Sequence, residues 1–273
     1  MKASKSQTSD GSANTEAPFL HHLEDLRWTL LKSFIAFMVA AILVIAFLGK
    51  FADLLTWPYD KAIEITRNPD NPDLQGLKSN SPGAAFIAIF QMCFLGGLGL
   101  SIPFILFFVG QFLAPGLKPN EKKYLLPGCI AGFLLFLIGS CLSFLFMIPT
   151  TLVFAIKMNR VLNFDQLWDG SSYYSMVAWM TLSVGFSFQF PLVLLILVRL
   201  GILSTKKLQE SRKLVLVIIL IVSALVTPGG DPITLTMFSL PLYGLYEIAL
   251  LIAKRIQPRE INNSPDEVEW NPR

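Results

Sequence analysis

Histidine and charged residues are scarce in this chain, and their scarcity excludes several classes of enzyme. Asp, Glu, Lys and Arg make up 15% of the 273 residues, whereas a soluble globular domain averages about 25%. The only histidines, His21 and His22, are adjacent and precede the first apolar run. A rhomboid-type serine protease needs a serine and a histidine within the membrane, so this class is excluded. A metal site of His21, His22 and Glu24 is unpersuasive because these residues are sequence neighbours beside a polar tail.

Cysteine is equally rare and shows no metal-ligand spacing. Cys93, Cys129 and Cys141 lie within apolar runs, and no CxxC pair occurs. We predict that all three are small buried apolar side chains. The apolar runs hold no pair of aspartates for an intramembrane aspartyl protease, and the sequence has no phosphate-binding loop. We therefore predict that the protein is not an enzyme and uses no metal or cofactor.

Long apolar runs are what the chain has in abundance. Hydrophobic residues make up 53% of it, and the runs reach the roughly 20 residues that a helix needs to cross a bilayer. We predict an all-α polytopic membrane protein whose six transmembrane helices occupy a domain of residues 19–255. The predicted spans are about residues 28–48, 85–113, 125–148, 174–198, 214–226 and 233–253. The fifth reaches only about 20 Å, less than a hydrocarbon core of roughly 30 Å.

Lysine and arginine are distributed unevenly between the two sides of the predicted membrane. The N-terminal part, the loops after spans two and four, and the C-terminal tail hold sixteen of the 22. Basic residues concentrate in cytoplasmic segments, so we predict that both termini face the cytoplasm. Residues 1–18 are predicted to form a disordered cytoplasmic tail rather than a signal peptide, and residues 256–273 a flexible cytoplasmic tail.

Three connections on the predicted outer side have distinct sequences. Residues 50–84 contain four prolines and several large apolar residues, which suggests short amphipathic turns near the interface. Residues 150–172 are predicted to form a second loop, and for both loops a plain connector and a dedicated cap remain alternatives. The turn TPGGDP at 227–232 stops one helix and starts the next. We predict that Asp231 is the N-cap of the sixth helix.

Polar side chains within the predicted spans invite a functional interpretation, because they are costly at membrane depth. Gln189 lies near the middle of span four, two residues before Pro191. It either satisfies the Ser187 carbonyl that the proline frees, or forms a polar spot in a cavity that receives another helix. Glu247, in span six, either approaches the interface or pairs with a basic residue such as Lys254 or Arg255.

Two charged segments lie on the predicted cytoplasmic side. In HLEDLR at 22–27, which we predict opens an interfacial helix, Glu24 and Asp25 lie in the first turns, where acids interact favourably with the helix dipole. Leu23, Leu26 and Leu30 recur on one face at helical spacing. The segment 111–123 ends in Glu121-Lys122-Lys123. The two lysines suit a topological anchor, whereas the acid is not required by the positive-inside rule and suggests a binding surface.

Five motifs occur in one order along residues 20–255. They are HLEDLR at 22–27, FLAPGLKPNE at 112–121, SFQFP at 187–191, TPGGD at 227–231 and LPLYGLYE at 240–247. Together they resemble the TatC family, the polytopic subunit of the twin-arginine protein translocase. The resemblance implies a concave six-helix bundle with both termini inside and short fifth and sixth helices.

The resemblance also implies a receptor that binds Arg-Arg signal peptides on the cytoplasmic face. Such a receptor takes part in exporting folded proteins by means of the proton-motive force. Asp25 and Glu121 would contact the two arginines, because guanidinium groups favour bidentate carboxylate partners. The remaining residues of the implied site are Leu23, Arg27, Phe112 and Pro115.

The implied partners are single-span subunits of the TatA and TatB type. They would dock near spans five and six and around four residues: Gln189, Thr227, Asp231 and Glu247. A homo-oligomer within the receptor complex and contact with the lipid bilayer are expected, and nucleic acid is not. The N-terminal tail lacks the Arg-rich amphipathic character of a transit peptide, which favours a bacterial inner membrane over a thylakoid.

Two positions depart from the family pattern. Asp25 stands where a glutamate is usual and keeps the charge on a shorter side chain. Gln189 stands where the fourth helix usually carries an acid. Because glutamine cannot carry a proton, we predict that Gln189 docks a partner through hydrogen bonds.

The alternative function is a proton- or ion-coupled secondary transporter of a small solute. Six spans, prolines within helices and buried polar groups would suit that class. Two halves with matching interrupted helices are absent from the sequence, which argues against it.

Overall fold

The computed structural model of the chain describes residues 13–66, 76–79, 81–116, 122–164, 168–227 and 231–256. Helices dominate these residues, as the sequence predicts. The α-helices are α1 (Ala13–Ala46), α2 (Leu48–Thr66), α3 (Ala84–Leu113), α4 (Leu125–Leu142), α5 (Ile148–Val161), α6 (Gly170–Ser187), α7 (Phe190–Arg199), α8 (Thr205–Glu210), α9 (Arg212–Val226) and α10 (Pro232–Ile256). Short 3-10 turns follow α3 and precede α4, and a π-helical turn, Ser143–Met147, joins α4 to α5.

Five helical segments within the described residues are long and apolar enough to cross a membrane. They are Leu23–Ala46, Ala84–Gly116, Lys122–Val161, Gly170–Arg199 and Pro232–Arg255. α9 has 15 residues, so it reaches only about 22 Å. The count of six spans and the orientation of the chain therefore stay predictions.

Four predictions from the sequence are wrong in detail. The third segment does not end near residue 148 but continues through the π-helical turn to Val161, so the loop predicted to begin at residue 150 starts later. α10 has 25 residues and is not short. The motif HLEDLR lies inside α1 rather than at its start. Cys93 and Cys129 are half-buried and Cys141 is exposed, because the apolar face of a membrane helix need not face the protein.

α2 replaces the short turns that the prolines between residues 50 and 84 suggest. Leu55, Tyr59, Ala62 and Thr66 are buried and recur at helical spacing, so one face of α2 packs against the protein. Pro58 lies within this helix. The hydroxyl of Tyr173 in α6 donates to the carbonyl of Leu55, one turn before the proline, at 2.6 Å.

The chain divides into two compact units. The first comprises Met1–Leu48 and Cys93–Phe133, and the second comprises Gly49–Met92 and Leu134–Arg273. In the first unit α1 packs on α3 through Gly97, where a Cβ would lie 3.0 Å from the Cβ of Ala41. In the same unit the thiol of Cys129 in α4 donates to the carbonyl of Leu106 in α3 at 3.3 Å.

In the second unit α10 packs against α7 and α9, and α6 packs against the π-helical turn. The core side chains Phe238 and Tyr246 of α10 and Val177 of α6 have no exposed surface. Thr151 in α5 shares a buried hydrogen bond of 2.8 Å with Thr234 in α10. Because little hydrophobic force acts between helices in lipid, close packing and hydrogen bonds of this kind hold them together.

Gly185 lets α6 approach α4 closely, and we expect its replacement to destabilise the protein. A Cβ at Gly185 would lie 2.5 Å from Ser140 Oγ and 2.7 Å from Phe136 Cε2, whereas a Cβ at Gly244 in α10 meets nothing within 4 Å. Gly185→Ala should therefore lower the free energy of unfolding by about 1–3 kcal/mol through overpacking. Gly244→Ala should leave it unchanged or raise it by up to about 1 kcal/mol.

Circular dichroism during heating in detergent measures the apparent midpoint of thermal unfolding of both variants. Equal midpoints for Gly185→Ala and Gly244→Ala would show that the contact between α4 and α6 tolerates a methyl group.

Candidate functional site

The N-terminal part of α1 carries the acid predicted to read an arginine. Asp25 is half-buried, and the hydroxyl of Thr29 donates to its backbone carbonyl at 2.8 Å. Leu23, Leu26 and Leu30 are exposed, so the apolar stripe predicted from their spacing is accessible. Arg27 is also exposed. This part of α1 therefore carries a half-buried carboxylate beside a partly exposed apolar surface.

The segment after α3 belongs to the same unit as α1. Phe112, in the last turn of α3, is half-buried, and Pro115 is exposed within the 3-10 turn Ala114–Gly116. After the gap in the described residues, Lys123 Nζ lies 5.1 Å from the ring centroid of Tyr124. Glu121 lies outside the described residues. Its pairing with Asp25 stays a prediction.

Gln189 lies at the break between α6 and α7, where it is the residue before the first turn of α7. Pro191 occupies that first turn, a position that proline tolerates because its missing N–H would have no helical partner. The Gln189 backbone carbonyl accepts from Val193 N at 3.1 Å, and its side-chain Oε1 is buried. The amide side chain of Gln189 therefore lies at an interruption between two helices.

A cavity of about 420 Å³ lies beside Gln189 between α6, α7, α9 and α10. Its lining is almost entirely apolar, with Ser187 and Gln189 as the polar members: Phe186, Ser187, Gln189, Phe190, Val193, Val215, Ile218, Ile219, Val222 and Leu242. Gln189 therefore borders a cavity, and both interpretations of its side chain stay predictions.

Thr227 and Asp231 each form a side-chain hydrogen bond to a backbone group at a helix end. The Thr227 hydroxyl donates to the carbonyl of Ser223 at 2.8 Å at the end of α9. Asp231 Oδ1 accepts from Thr234 N at 2.7 Å, which confirms the predicted N-cap of α10. Both side chains are buried. These contacts give both residues a structural role that does not depend on a partner.

Glu247 does form an ion pair, but the predicted partners are wrong. Its Oε2 accepts from Arg212 Nη2 at 3.1 Å, and its Oε1 accepts from the hydroxyl of Tyr243 at 3.0 Å. Lys254 and Arg255 follow Glu247 by two helical turns, a rise of about 10 Å along α10, whereas Arg212 comes from the start of the neighbouring α9. Tyr246 adds a further tie, since its hydroxyl donates to the carbonyl of Leu208 in α8 at 2.6 Å.

Gln91 is a polar residue in a predicted span that sequence reasoning missed. It lies in α3, and its Oε1 is buried with no hydrogen-bond partner among the described residues. The signal was present: an amide stands alone in the apolar run from residue 84 to 100, and such a group at membrane depth is costly.

Comparison with known proteins gives consistent results. Residues 21–241 match the model of the family described as TatC, Sec-independent protein translocase protein. The Sec-independent protein translocase protein TatCy of Bacillus subtilis is 32% identical over 86% of this chain and 88% of that protein. TatC of Akkermansia muciniphila is 28% identical over 79% of this chain and 62% of that longer protein. The crystal structure of the twin-arginine translocase receptor TatC aligns with a TM-score of 0.72 and 26% identity, covering 86% of this chain and 99% of that one.

Two substitutions of Asp231 distinguish whether the N-terminus of α10 requires a hydrogen-bond acceptor or a negative charge. Asp231→Ala removes the acceptor for Thr234 N and should lower the free energy of unfolding by about 1 kcal/mol. Asp231→Asn keeps the acceptor. It also removes a charge whose Oδ2 is buried without a hydrogen-bond partner among the described residues, so it should be at least as stable as the wild type.

Chemical or thermal unfolding in detergent measures both variants, with Asp60→Ala on the exposed side of α2 as the control that changes a surface acid only. If Asp231→Asn were as unstable as Asp231→Ala, the charge rather than the cap would be what α10 requires.

Proposed function

We propose, because the chain belongs to the TatC family of Sec-independent protein translocase proteins, that it is the receptor subunit of a twin-arginine translocase and binds signal peptides at its N-terminal end. It is a multi-pass membrane protein of this family. The observation that carries the proposal is the partly exposed stretch 23–30 in the N-terminal half of α1. There, half-buried Asp25 lies beside a stripe of exposed leucines, Leu23, Leu26 and Leu30.

This stretch of α1 is complementary to the two parts of such a peptide, its arginine pair and its hydrophobic segment. A carboxylate can accept two parallel N–H bonds from a guanidinium group, and lysine cannot reproduce that fork. The leucines offer an apolar surface to the hydrophobic segment that follows the arginines. Glu121 would supply the second carboxylate, with Phe112 and Pro115 shaping the segment beside it and Arg27 completing the charged end of α1.

The proposed setting is a bacterial cytoplasmic membrane, with both termini in the cytoplasm. The receptor would assemble with further copies of itself and with single-span partners, and folded cargo would move at the expense of the proton-motive force. No group of this chain is assigned a catalytic role.

If Asp25 binds an arginine of the signal peptide, replacing Asp25 should reduce the preference of the receptor for Arg-Arg over Lys-Lys. In Asp25→Asn, signal-peptide crosslinking should fall about tenfold or more, because a hydrogen bond to a charged group contributes about 1.5–3 kcal/mol. Replacing Arg-Arg in the peptide by Lys-Lys should weaken binding to the wild type strongly and to the variant only slightly. Photo-crosslinking of a labelled signal peptide to the full chain in membrane vesicles measures both effects.

Glu24→Gln is the matched control, since Glu24 is the adjacent exposed acid, and its crosslinking should stay within about twofold of the wild type, as expected of a surface change. Undiminished, Arg-Arg-dependent crosslinking to Glu121→Ala would remove Glu121 from the site while leaving Asp25 in it.

The cavity beside Gln189 supports a docking site for a single-span partner. Its apolar lining fits the side chains of a membrane helix, and one amide offers a donor and an acceptor to a polar group on that helix. Hydrogen bonds between membrane helices contribute about 0.6–2 kcal/mol, enough to fix the register of a docked helix. Glutamine remains neutral, so docking here would not depend on the protonation of this position.

Gln189→Leu should reduce co-purification of a single-span partner by about threefold to thirtyfold, the effect of losing one such hydrogen bond. Gln189→Glu should keep most of the binding because it retains an acceptor. Pull-down from detergent-solubilised membranes, with Gln209→Leu in exposed α8 as control, measures the effect. Unchanged partner binding and export in Gln189→Leu would contradict the proposed docking role.

A further inference from the structure

A second cavity lies at the end of the second unit where α3 and α6 begin and α9 ends. Its volume is about 550 Å³, and it is lined by Ile87, Gln91, Ser171, Ser172, Ser175, Met176, Trp179, Leu225 and Val226. Trp179 and Leu225 are 60% and 74% exposed, so the rim is apolar and accessible. The lining differs from that of the cavity beside Gln189, because it contains one amide and three serine hydroxyl groups.

Gln91 gives this cavity an unmet requirement for a hydrogen-bond donor. Its Oε1 has no partner among the described residues and is buried. An acceptor left unsatisfied away from water is costly. A ligand that carries an N–H or O–H group would remove that cost.

Charges around the cavity favour a cation over an anion. The hydroxyl groups of Ser171 and Ser172 both donate to Asp169 Oδ2, the latter at 3.0 Å. Their own oxygen lone pairs remain as acceptors, and the carboxylate adds negative potential. No lysine or arginine is among the lining residues that the structure describes. The site therefore suits a group that is both positive and rich in donors.

The short helix α9 affects where a bilayer would lie beside this cavity. α9 has 15 residues and ends at Val226, which lines the cavity. At about 22 Å it is shorter than a hydrocarbon core of roughly 30 Å, and a bilayer accommodates a short helix by thinning locally. We therefore expect lipid headgroups beside α9 to lie closer to the polar residues of the cavity than they would beside a longer helix.

We propose that this cavity binds the headgroup of a phospholipid that ends in a primary ammonium group, such as phosphatidylethanolamine. The Gln91 side chain turns its buried Oε1 toward the cavity, where the ammonium donates to it and to the serine hydroxyl oxygens, with the Asp169 carboxylate nearby. The acyl chains lie against Ile87, Trp179 and Leu225 at the rim. A choline headgroup, which has no N–H donor, is a poor ligand for the same site. The site is independent of the signal-peptide and partner sites proposed above.

Native mass spectrometry of the full chain tests this proposal. The chain is released from nanodiscs of phosphatidylethanolamine and phosphatidylcholine with identical acyl chains, and the ratio of the two retained lipids is measured. The wild type should retain the ethanolamine lipid preferentially, and the preference should fall stepwise as the ammonium is mono-, di- and trimethylated. Gln91→Leu should lower the preference about fivefold, the effect of losing one hydrogen bond.

Two further substitutions of Gln91 are expected to change the lipid preference in opposite directions. Gln91→Lys should abolish the preference through repulsion, and Gln91→Glu should keep or raise it, which distinguishes a ligand effect from misfolding. Gln111→Leu, at an exposed position near the other end of α3, is the matched control and should leave the preference unchanged.

Equal retention of the methylated series by the wild type would overturn the proposal. So would crosslinking of Ser175→Cys to a single-span protein rather than to lipid, because the cavity would then be a site for a helix.

Discussion

Every backbone amide and carbonyl group within a hydrocarbon layer needs a partner from the protein, because no water is available there. Continuous helices meet this requirement for most of the described chain. Where a helix starts, stops or contains a proline, side chains add further bonds: Asp231 bonds the N–H of Thr234, Thr227 adds a second bond to the Ser223 carbonyl, and Tyr173 reaches the carbonyl of Leu55 near Pro58. The irregular points of the fold are therefore where polar residues collect.

The same irregular points produce the two cavities. The break at Gln189 and Pro191 ends α6 and starts α7, and an apolar cavity with one amide lies beside it. The early end of α9 leaves room next to Gln91 and the serines at the start of α6. An apolar lining with a single amide suits a membrane helix, whereas several acceptors and a nearby carboxylate suit a cationic headgroup. The two cavities of this unit thus differ in the partner that their chemistry can accept.

At the other end of α9, three contacts hold the short helices together. Glu247 pairs with Arg212, Tyr243 supports Glu247, and Tyr246 holds α8 through the carbonyl of Leu208. Arg212 and Glu247 are partly exposed, so the ion pair itself contributes little more than about 1 kcal/mol. Its value is geometric: it fixes the start of α9 against α10, and with it the wall of the cavity beside Gln189.

Local sequence determined the features that depend on local physics. Apolar runs of sufficient length specify membrane helices whatever surrounds them, so the all-α class followed from the sequence, as did most helix centres. An aspartate directly before a proline and an apolar run caps a helix through groups only three residues away, so the cap at Asp231 followed as well. The five ordered motifs identified the family before any contact was known.

Tertiary structure alone decided which distant groups meet. The partner of Glu247 is Arg212, 35 residues earlier in the chain, and no periodicity within α10 points to it. α2 is one helix although it contains Pro58, and its buried face and the bond from the Tyr173 hydroxyl attach it to the rest of the unit. Cys141 is exposed although it lies in an apolar run, since hydropathy does not distinguish a face toward lipid from a face toward protein. Only the tertiary structure shows that Gln91 lies in a cavity between the start of α6 and the end of α9. Whether a polar side chain has a hydrogen-bond partner depends on neighbours that are distant in the sequence.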